Sequence, residues 1–313
     1  MKSYLLKRIA GAIGILFGVV CITFIMMYII PGDPVQSFIG QRADPETVQS
    51  LRAEMGLNKP LAVQFVRYLG RSIRGDLGRS FFTGKPVTRS LVERFPTTAA
   101  LALGAIVIAA FLGIGTGIIA AVRKGSWVDK TVMTLTVLGI STPVFWTGLL
   151  FLIGFFYLVK HNLWFPYFNS YQVHLLLGML TLGIRPTAFI ARLTRVNLVE
   201  ALDSSYITAA ESRGLSRSRI VLKHALRNAL IPIVTLLGLD LGSLLGGAAI
   251  TETIFALPGI GKFALEGIGR RDYPVIIGMV LFTAFLFVAV NLIIDLLYPV
   301  IDPKIRLERK RQI

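Results

Sequence analysis

The chain has 313 residues, of which 54% are hydrophobic and only 16% are charged, and its formal net charge is +16. Soluble domains carry about 25% charged residues, so this composition excludes an ordinary soluble domain and predicts an integral membrane protein. The basic excess indicates cytoplasmic loops beside membrane spans and argues against nucleic-acid binding. The single cysteine, Cys21, lies in an apolar run, which excludes a disulfide within the chain and a cysteine metal site.

The N-terminal segment, residues 1–34, is predicted to be a retained first span. Basic residues precede an apolar run at 9–30, which superficially resembles a signal peptide. That run exceeds the roughly 7–15 residues of a signal-peptide core, and no small-residue cleavage site follows it. The sequence PGDP at 31–34 instead predicts the end of a helix, because proline cannot continue the helical hydrogen-bond ladder.

Residues 35–95 are polar and mixed in charge, which predicts an extracytoplasmic subdomain. Their basic residues do not conflict with the positive-inside rule, because that rule weakens for loops approaching about 60 residues. Within this subdomain, GDLGRS at 75–80 is typical of a glycine-rich turn between two short helices.

A core of five further spans is predicted over residues 96–301. The second span, 96–122, carries Gly113, Gly115 and Gly117, which favour close helix packing rather than a phosphate loop, since such a loop follows a strand and reaches water. A short basic turn at 123–130 then indicates the cytoplasmic side. The third span, 131–159, is longer than a bilayer requires, and Pro143 predicts a kink or tilt within it.

The fourth span, 173–198, carries Arg185 near its centre and Arg192 two turns later on the same face. A charged side chain within a span costs about 2.5–3.5 kcal/mol on insertion scales, so it usually faces a cavity or a partner. We therefore predict that Arg185, together with Asp240 of the fifth span, lines a translocation pathway. An internal salt bridge between these two residues is the alternative.

Residues 203–227 are polar and basic although they lie between two apolar runs. Asp203 is predicted to cap a short helix with Tyr206, Ala209 and Ala210 on one face, and Gly214 to end it in the left-handed conformation. A second helix is predicted to follow, with an apolar side formed by Leu222, Ala225, Leu226 and Ala229 and a basic side formed by Arg219, Lys223 and Arg227. The segment is thus predicted to be an amphipathic helical hairpin at the membrane surface. Ordinary anchoring by basic residues is the alternative.

The fifth span, 228–250, contains Gly238, Gly242 and Gly246 at four-residue spacing, which predicts a flat ridge for close packing. Residues 251–274 are predicted to form a short re-entrant or surface helical element outside, because prolines and glycines break the helix there. This segment includes ALPGIGKF, a near miss to the Walker A pattern on the side away from ATP. A sixth span, 273–298, and a basic tail, 302–313, place both chain ends in the cytoplasm.

Four motifs, in order along the chain, resemble one protein family. They are PGDP, GDLGRS, the run from Thr208-Ala209-Ala210 to Gly214, and the ETIF-to-RDYP stretch at 252–274. The third motif resembles the EAA loop of ABC-importer permeases, and the set resembles the dipeptide/oligopeptide/nickel branch of that family. Three positions depart from common patterns: Thr208 replaces Glu, Arg227 replaces Pro, and Leu257 replaces Trp.

The resemblance implies an all-α integral membrane protein with six transmembrane helices, the type I ABC importer permease fold and a cytoplasmic EAA coupling hairpin. It implies a non-catalytic subunit without cofactor or metal, assembled in a bacterial or archaeal cytoplasmic membrane with a second homologous permease, two ABC ATPases and an extracytoplasmic solute-binding protein. The implied ATPase-coupling residues are Thr208, Ala209, Ala210, Glu211, Arg213, Gly214, Leu215, Arg217, His224 and Arg227. The residues predicted to dock the binding protein are Glu252, Pro258, Gly259, Arg270, Arg271 and Asp272, although a purely structural cap is the alternative for this outer segment.

Di- or oligopeptides are the predicted substrates, with nickel complexes, glutathione or oligosaccharides as alternatives within the same class. An ion-coupled secondary transporter would require membrane-embedded acids, for which Asp240 and Asp295 are the candidates. A membrane enzyme is disfavoured because His161, His174 and His224 lie on different segments, without HExxH spacing or a paired nucleophile.

The predicted orientation can be tested with an impermeant thiol reagent on single cysteines introduced after the native thiol is removed by Cys21→Ser. Asp44→Cys and Lys85→Cys should react from outside, whereas Ser216→Cys and Lys310→Cys should react only from inside, because the basic segments stay in the cytoplasm. The reverse labelling pattern would contradict the orientation and remove the 203–227 segment from any cytoplasmic partner.

Overall fold

The computed structural model describes residues 2–29, 49, 58–161 and 170–301. The regular structure in these ranges is helical, with an isolated bridge between Arg79 and Pro86. The PGDP motif, much of the predicted outer subdomain and the tail at 302–313 lie outside the described residues. The helices in chain order are α1 (Lys2–Ile29), α2 (Leu61–Ile73), α3 (Val87–Val122), α4 (Trp127–Ser141), α5 (Val144–Lys160), α6 (Ser170–Leu202), α7 (Ser205–Ser212), α8 (Arg217–Arg219), a π-helix (Ile220–Ala225), α9 (Leu226–Leu245), α10 (Ala249–Ile254), α11 (Ile260–Gly269) and α12 (Tyr273–Ile301).

Four of these helices, α1, α3, α6 and α12, are long and apolar enough to cross a membrane. Two further pairs of helical segments meet the same test only when each bent pair is taken together. The α4–α5 pair bends by 103°, and the chain from α8 through the π-helix to the end of α9 bends by 51°. The described residues therefore supply between four and six spans.

The α4–α5 bend is sharper than the kink predicted for a single third span. Thr142 and Pro143 both have extended backbone, and α5 begins directly after the proline. Proline offers no N–H to the preceding turn and disfavours helical geometry at the residue before it. The predicted single span is thus two helices, joined as a broken span or a re-entrant loop.

Helix α3 begins earlier than predicted, at Val87 rather than at Pro96, and Pro96 lies inside it. The extra turns are held by tertiary packing, because Val87 and Leu91 are fully buried in a cluster with residues of α11 and α12. This burial offsets the hydrogen bond that Pro96 removes from the helix.

The contact between α3 and α6 depends on two of the three predicted glycines. A Cβ on Gly113 would lie 2.8 Å from Ile190 Cβ, and one on Gly117 would lie 2.5 Å from Thr194 Cβ. Gly115, by contrast, has open space around it. The prediction of close helix packing is therefore confirmed for Gly113 and Gly117 and is wrong for Gly115, which points away from the contact.

The predicted close packing on α9 is confirmed for Gly238 and Gly242, and the helix they pack against is α12. A Cβ on Gly238 would overlap the Ile294 side chain, and one on Gly242 would lie 3.2 Å from a ring carbon of Phe287. Gly246 instead forms the C-cap of α9, so the helix ends five residues before the predicted boundary of 250.

Helix α1 also contacts α12, and α2 packs on α1. Arg8 forms an ion pair with Asp295 at 2.9 Å, which gives Asp295 a structural partner. Aromatic edges join α2 to α1, with Phe65 packed against Phe24 at a centroid distance of 5.2 Å. A hydrogen bond of 3.0 Å between Thr23 and Tyr68 strengthens the same contact.

The α3–α6 contact generates a matched pair of variants on one helix. Gly117→Ala should lower stability by about 1–3 kcal/mol, because the added methyl group overpacks Thr194 and the α6 backbone. Gly115→Ala should instead be neutral or stabilising by up to about 1 kcal/mol, through helix propensity alone. Thermal unfolding of the detergent-solubilised protein measures both, and equal melting temperatures would contradict the packing role.

Candidate functional site

A helical hairpin follows the end of α6, where the sequence predicts one. Helix α7 begins at Ser205, and its N-cap is Ser204, which has extended backbone. The prediction that Asp203 caps α7 is wrong, because the Asp203 N–H bonds to Val199 O and continues the last turn of α6. The Asp203 carboxylate instead accepts a hydrogen bond from Lys124 Nζ at 3.0 Å, which places the α3–α4 turn beside the hairpin.

Gly214 ends α7 in the predicted left-handed conformation, with φ of +73°. The Gly214 N–H bonds to Glu211 O at 2.8 Å, and the Leu215 N–H bonds to Ala210 O at 3.4 Å. These two bonds form a Schellman motif, which satisfies carbonyl groups at the helix end. The prediction for Gly214 is confirmed, and the turn has a defined geometry.

The second half of the hairpin differs from the predicted amphipathic helix. Its buried residues are Ile220, Val221, Ala225 and Ala229, whereas Leu222 is 58% exposed. The cause is the π-helix at Ile220–Ala225, which has more residues per turn than an α-helix and so rotates the buried face relative to 3.6-residue spacing. The chain then continues directly into α9.

The two halves share an apolar core with the ends of α3 and α6. Ile207 and Ala210 of α7 lie in one buried cluster with Leu198 of α6 and Ala121 of α3. Tyr206 and Ala209, predicted to share a face with Ala210, are exposed instead. The hairpin is therefore packed against the ends of α3 and α6.

The predicted coupling residues fall into three groups by burial. Ala210 is buried in the hairpin core, so its side chain is not available to a partner. Leu215 and His224 are half-buried. The remainder form an exposed surface, here termed the hairpin surface: Thr208, Ala209, Glu211, Arg213, Gly214, Arg217 and Arg227.

An ion pair beside the hairpin, between a buried aspartate and a partly exposed arginine, was not predicted. Arg195 of α6 donates two hydrogen bonds to the Asp129 carboxylate, at 3.0 and 2.8 Å, and Asp129 also accepts from Gly125 N–H. This bidentate contact fixes the α3–α4 turn on α6. Arg195 lies one turn beyond Arg192, but no local sequence pattern pairs it with a residue 66 positions away.

Three of the charged residues of α6, Arg185, Arg192 and Glu200, lie on a stripe that the other described residues leave open. Arg185, Phe189, Arg192, Val196 and Glu200 are exposed, at spacings of three or four residues. The Arg185 guanidinium carbon lies 5.8 Å from the centroid of the Phe189 ring. Asp240 of α9 is half-buried, and no ion pair within 4 Å joins it to Arg185 in the described residues. The predicted alternative of a direct salt bridge is therefore wrong for this conformation.

At the opposite end of the molecule, Glu252 is fully buried and caps α11 from outside that helix. Its carboxylate accepts hydrogen bonds from Thr98 Oγ1 and from Lys262 N–H, both at 2.7 Å. Thr98 Oγ1 in turn accepts from Ile260 N–H at 2.9 Å. Gly259, the N-cap, has no side chain to cap the helix, and a Cβ there would overlap the Glu252 carboxylate.

Asp272 has a similar structural role. Its carboxylate accepts hydrogen bonds from Ser80 Oγ at 2.6 Å and Phe81 N–H at 3.2 Å, which ties the GDLGRS turn to the start of α12. Glu252, Gly259 and Asp272 are thus interior residues, which corrects their predicted place on a docking surface. Pro258, Arg270 and Arg271 are exposed.

Comparisons with known proteins agree with this architecture. Residues 113–307 match the model of the binding-protein-dependent transport system inner membrane component, and residues 1–102 match the N-terminal model of the same kind of membrane component. A solved methionine ABC transporter, MetNI, in inward-facing conformations, covers 68% of this chain and 96% of its own, with a TM-score of 0.55. Its sequence identity of 20% supports similarity of fold alone.

Relatives with higher identity extend over the full chain. A putative peptide transport system permease protein of Brucella abortus (strain 2308) is 39% identical, and 98% of this chain and 99% of the relative are aligned. The dipeptide transport system permease protein DppB of Escherichia coli (strain K12) is 37% identical over the same shares. The di/tripeptide permease protein DppB of Pseudomonas aeruginosa (strain UCBPP-PA14) is 38% identical, covering 99% of this chain and all of the relative. With its apolar helices and its match to the family models over most of its length, the chain belongs to the family of binding-protein-dependent transport system inner membrane components.

Proposed function

We propose that this chain is the permease subunit of an ATP-driven ABC importer that carries di- or oligopeptides. Family membership supports the role of a membrane transport component. The substrate class is supported by the names of full-length relatives at 37–39% identity, which are peptide and dipeptide permeases. Nickel complexes, glutathione and oligosaccharides are the competing substrates within the same importer class.

The observation that carries the mechanism is the seating of the hairpin. The hairpin surface is exposed, whereas the buried face of the hairpin packs on Leu198 and Ala121. Gly214, with its positive φ, fixes the angle of the turn. A partner that pushes on such a unit displaces the ends of α6 and α3 instead of bending a loose loop. We therefore assign the hairpin surface as the site where a cytoplasmic ATPase transmits its movement to the membrane helices.

The proposed topology has six spans with both chain ends in the cytoplasm. It counts each bent pair as one span, and it places the basic α3–α4 turn and the hairpin on the same, inner side. The Lys124–Asp203 contact supports that shared side, although an exposed ion pair adds little stability. The GDLGRS turn and the α10–α11 segment, joined through Asp272, then lie outside.

The proposed assembly contains this permease, a second homologous permease, two ABC ATPases and an extracytoplasmic solute-binding protein. ATP hydrolysis takes place on the ATPases, and this chain supplies the path and the coupling surface. The exposed Pro258, Arg270 and Arg271 are the proposed contacts for the binding protein. An ion-coupled transporter would instead sustain uptake after ATP depletion and lose it with the ion gradient.

Gly214 tests the coupling role. Gly214→Val should cost roughly 1–2 kcal/mol or more in the turn, because a branched side chain disfavours positive φ. We expect a membrane-inserted subunit that loses its ATPase partners or the link between hydrolysis and uptake. Gly214→Asn is the control, because asparagine tolerates this conformation and the added Cβ meets no atom within 4 Å. Wild-type uptake and ATPase co-purification in Gly214→Val would contradict the assignment.

Substitutions of two neighbouring alanines distinguish the role of the hairpin surface from that of the buried hairpin core. Ala209→Trp should leave the thermal stability nearly unchanged but reduce ATPase co-purification, because Ala209 is exposed on the hairpin surface. Ala210→Trp should lower stability by about 1–3 kcal/mol through overpacking of the hairpin core. Normal ATPase binding by a correctly inserted Ala209→Trp protein would exclude this face from the interface.

Charge reversal tests the proposed docking contact. Arg270→Glu combined with Arg271→Glu should weaken stimulation of ATP hydrolysis by the binding protein, most strongly at low salt, because rim charges act mainly on association. Subunit assembly should be retained, since both side chains are exposed. Unchanged stimulation across salt concentrations would rule out these arginines as docking residues.

A further inference from the structure

A cavity of about 460 Å³ lies between the hairpin and the turn that joins α3 to α4. Ligand pockets commonly measure roughly 300–1,000 Å³, so this space has room for a small molecule or a lipid head group. Arg123 and Lys124 of the turn line the cavity from one side, and Arg217 and Ile220 of the hairpin line it from the other. The cavity therefore lies where two separate segments of the chain meet.

The inner wall of the cavity is apolar. Ala121, Ile207, Ile220 and Val221 line it, and all four side chains belong to the buried core of the hairpin. Leu202, the last residue of α6, adds a half-buried apolar side chain to the same wall. An occupant that covers this wall removes apolar surface from water, which stabilises its binding.

The mouth of the cavity carries five charged residues, all of them exposed: Arg123, Lys124, Asp203, Glu211 and Arg217. Lys124 and Asp203 neutralise each other in an ion pair of 3.0 Å. Arg123 and Arg217 form no ion pair within 4 Å in the part of the chain that the structure describes, and neither does Glu211. Two guanidinium groups against one carboxylate leave a positive charge at the mouth, which favours an anionic ligand.

The cavity lies at one end of two spanning helices. Val122 and Leu202, the last residues of α3 and α6, both line it, and these helices are long and apolar enough to cross a membrane. Trp127, which follows Ser126 of the cavity wall, is 78% exposed, and tryptophan is enriched at the level of lipid head groups. In the proposed topology this end of the molecule is cytoplasmic, so the cavity opens at the head groups of the inner leaflet.

We propose that this cavity binds the head group of an anionic phospholipid from the inner leaflet. Arg123 and Arg217 hold the phosphate, because a guanidinium donates two parallel hydrogen bonds to phosphate oxygens, and the glycerol and first acyl carbons lie on the apolar wall. Basic pockets between spans on the cytoplasmic side bind such head groups. Phosphatidylcholine is disfavoured, because its quaternary ammonium group meets a mouth that is already positive.

The bound lipid joins the α3–α4 turn to the hairpin. It contacts Arg123 in one segment and Arg217 in the other, which adds a second link beside the pair of Lys124 and Asp203. Arg217 also belongs to the hairpin surface, so the lipid and the ATPase share the use of this residue. The inference goes beyond peptide import, because it holds for any transported substrate, and it rests on the proposed topology alone.

The test measures lipid retention by the complete importer, purified in detergent and analysed by native mass spectrometry after addition of phosphatidylglycerol or phosphatidylcholine. The wild type should retain phosphatidylglycerol in preference to phosphatidylcholine. Arg123→Gln should weaken phosphatidylglycerol binding about tenfold, because hydrogen bonds to charged groups are strong. Arg123→Lys should keep part of the binding, since it retains the charge but not the paired hydrogen bonds. Lys130→Gln is the matched control, because Lys130 is exposed on α4 and does not line the cavity.

Three results would overturn the lipid assignment. The first is equal retention of phosphatidylglycerol by the wild type and Arg123→Gln, or an equal loss in Lys130→Gln. The second is displacement of the lipid by millimolar glycerol 1-phosphate, which would indicate a site for soluble phosphate esters. The third is lipid binding that occurs only after the ATPases are removed, which would show that a protein partner fills the cavity. Peptide uptake is measured separately, and its absence in the wild type would overturn the import proposal without altering lipid retention.

Discussion

The close contact between α3 and α6 is the constraint on which both ends of the molecule depend. Gly113 and Gly117 allow the two helices to approach, because a side chain at either position would collide with α6. At one end of α3, Thr98 takes part in capping α11, and at the other, Ala121 packs under the hairpin. A displacement of the hairpin therefore acts on α3, and α3 also contacts α11 at the opposite end of the molecule.

Polar groups in the interior serve to fix segments that lack their own capping residues. Gly259 offers no side chain to the start of α11, so Glu252 and Thr98 supply the acceptors from α10 and α3. Asp272 similarly holds the turn that follows α2. Buried carboxylates with satisfied hydrogen bonds are expensive to disrupt, because the remaining partners lose their bonds away from water. These contacts keep the α10–α11 segment attached to the spanning helices.

The hairpin combines a rigid turn with an irregular helix. The Schellman motif at Gly214 holds α7 against the following segment, whereas the π-helix at Ile220–Ala225 interrupts regular helical spacing just before α9 begins. π-Helical turns are uncommon and occur often at functional sites. The π-helix lies between the hairpin surface and α9, which is consistent with the proposed transmission of movement.

The sequence by itself determined the membrane class, the existence of the four long apolar helices, the left-handed turn at Gly214 and the packing role of Gly238 and Gly242 on α9. These features follow from composition, apolar length and local backbone chemistry. It could not determine which charged residues are structural. The sequence predicted Glu252 and Asp272 to lie on the surface, whereas both are buried by packing in the structure. Arg195 pairs with Asp129, which lies 66 positions away in the sequence. The tertiary structure also decided that Ala210 faces inward, that Leu222 faces outward and that the chain turns by 103° at Pro143. Burial, long-range ion pairing and the π-helix depend on which helices pack against each other. Local hydrophobic periodicity carries no information about those tertiary contacts.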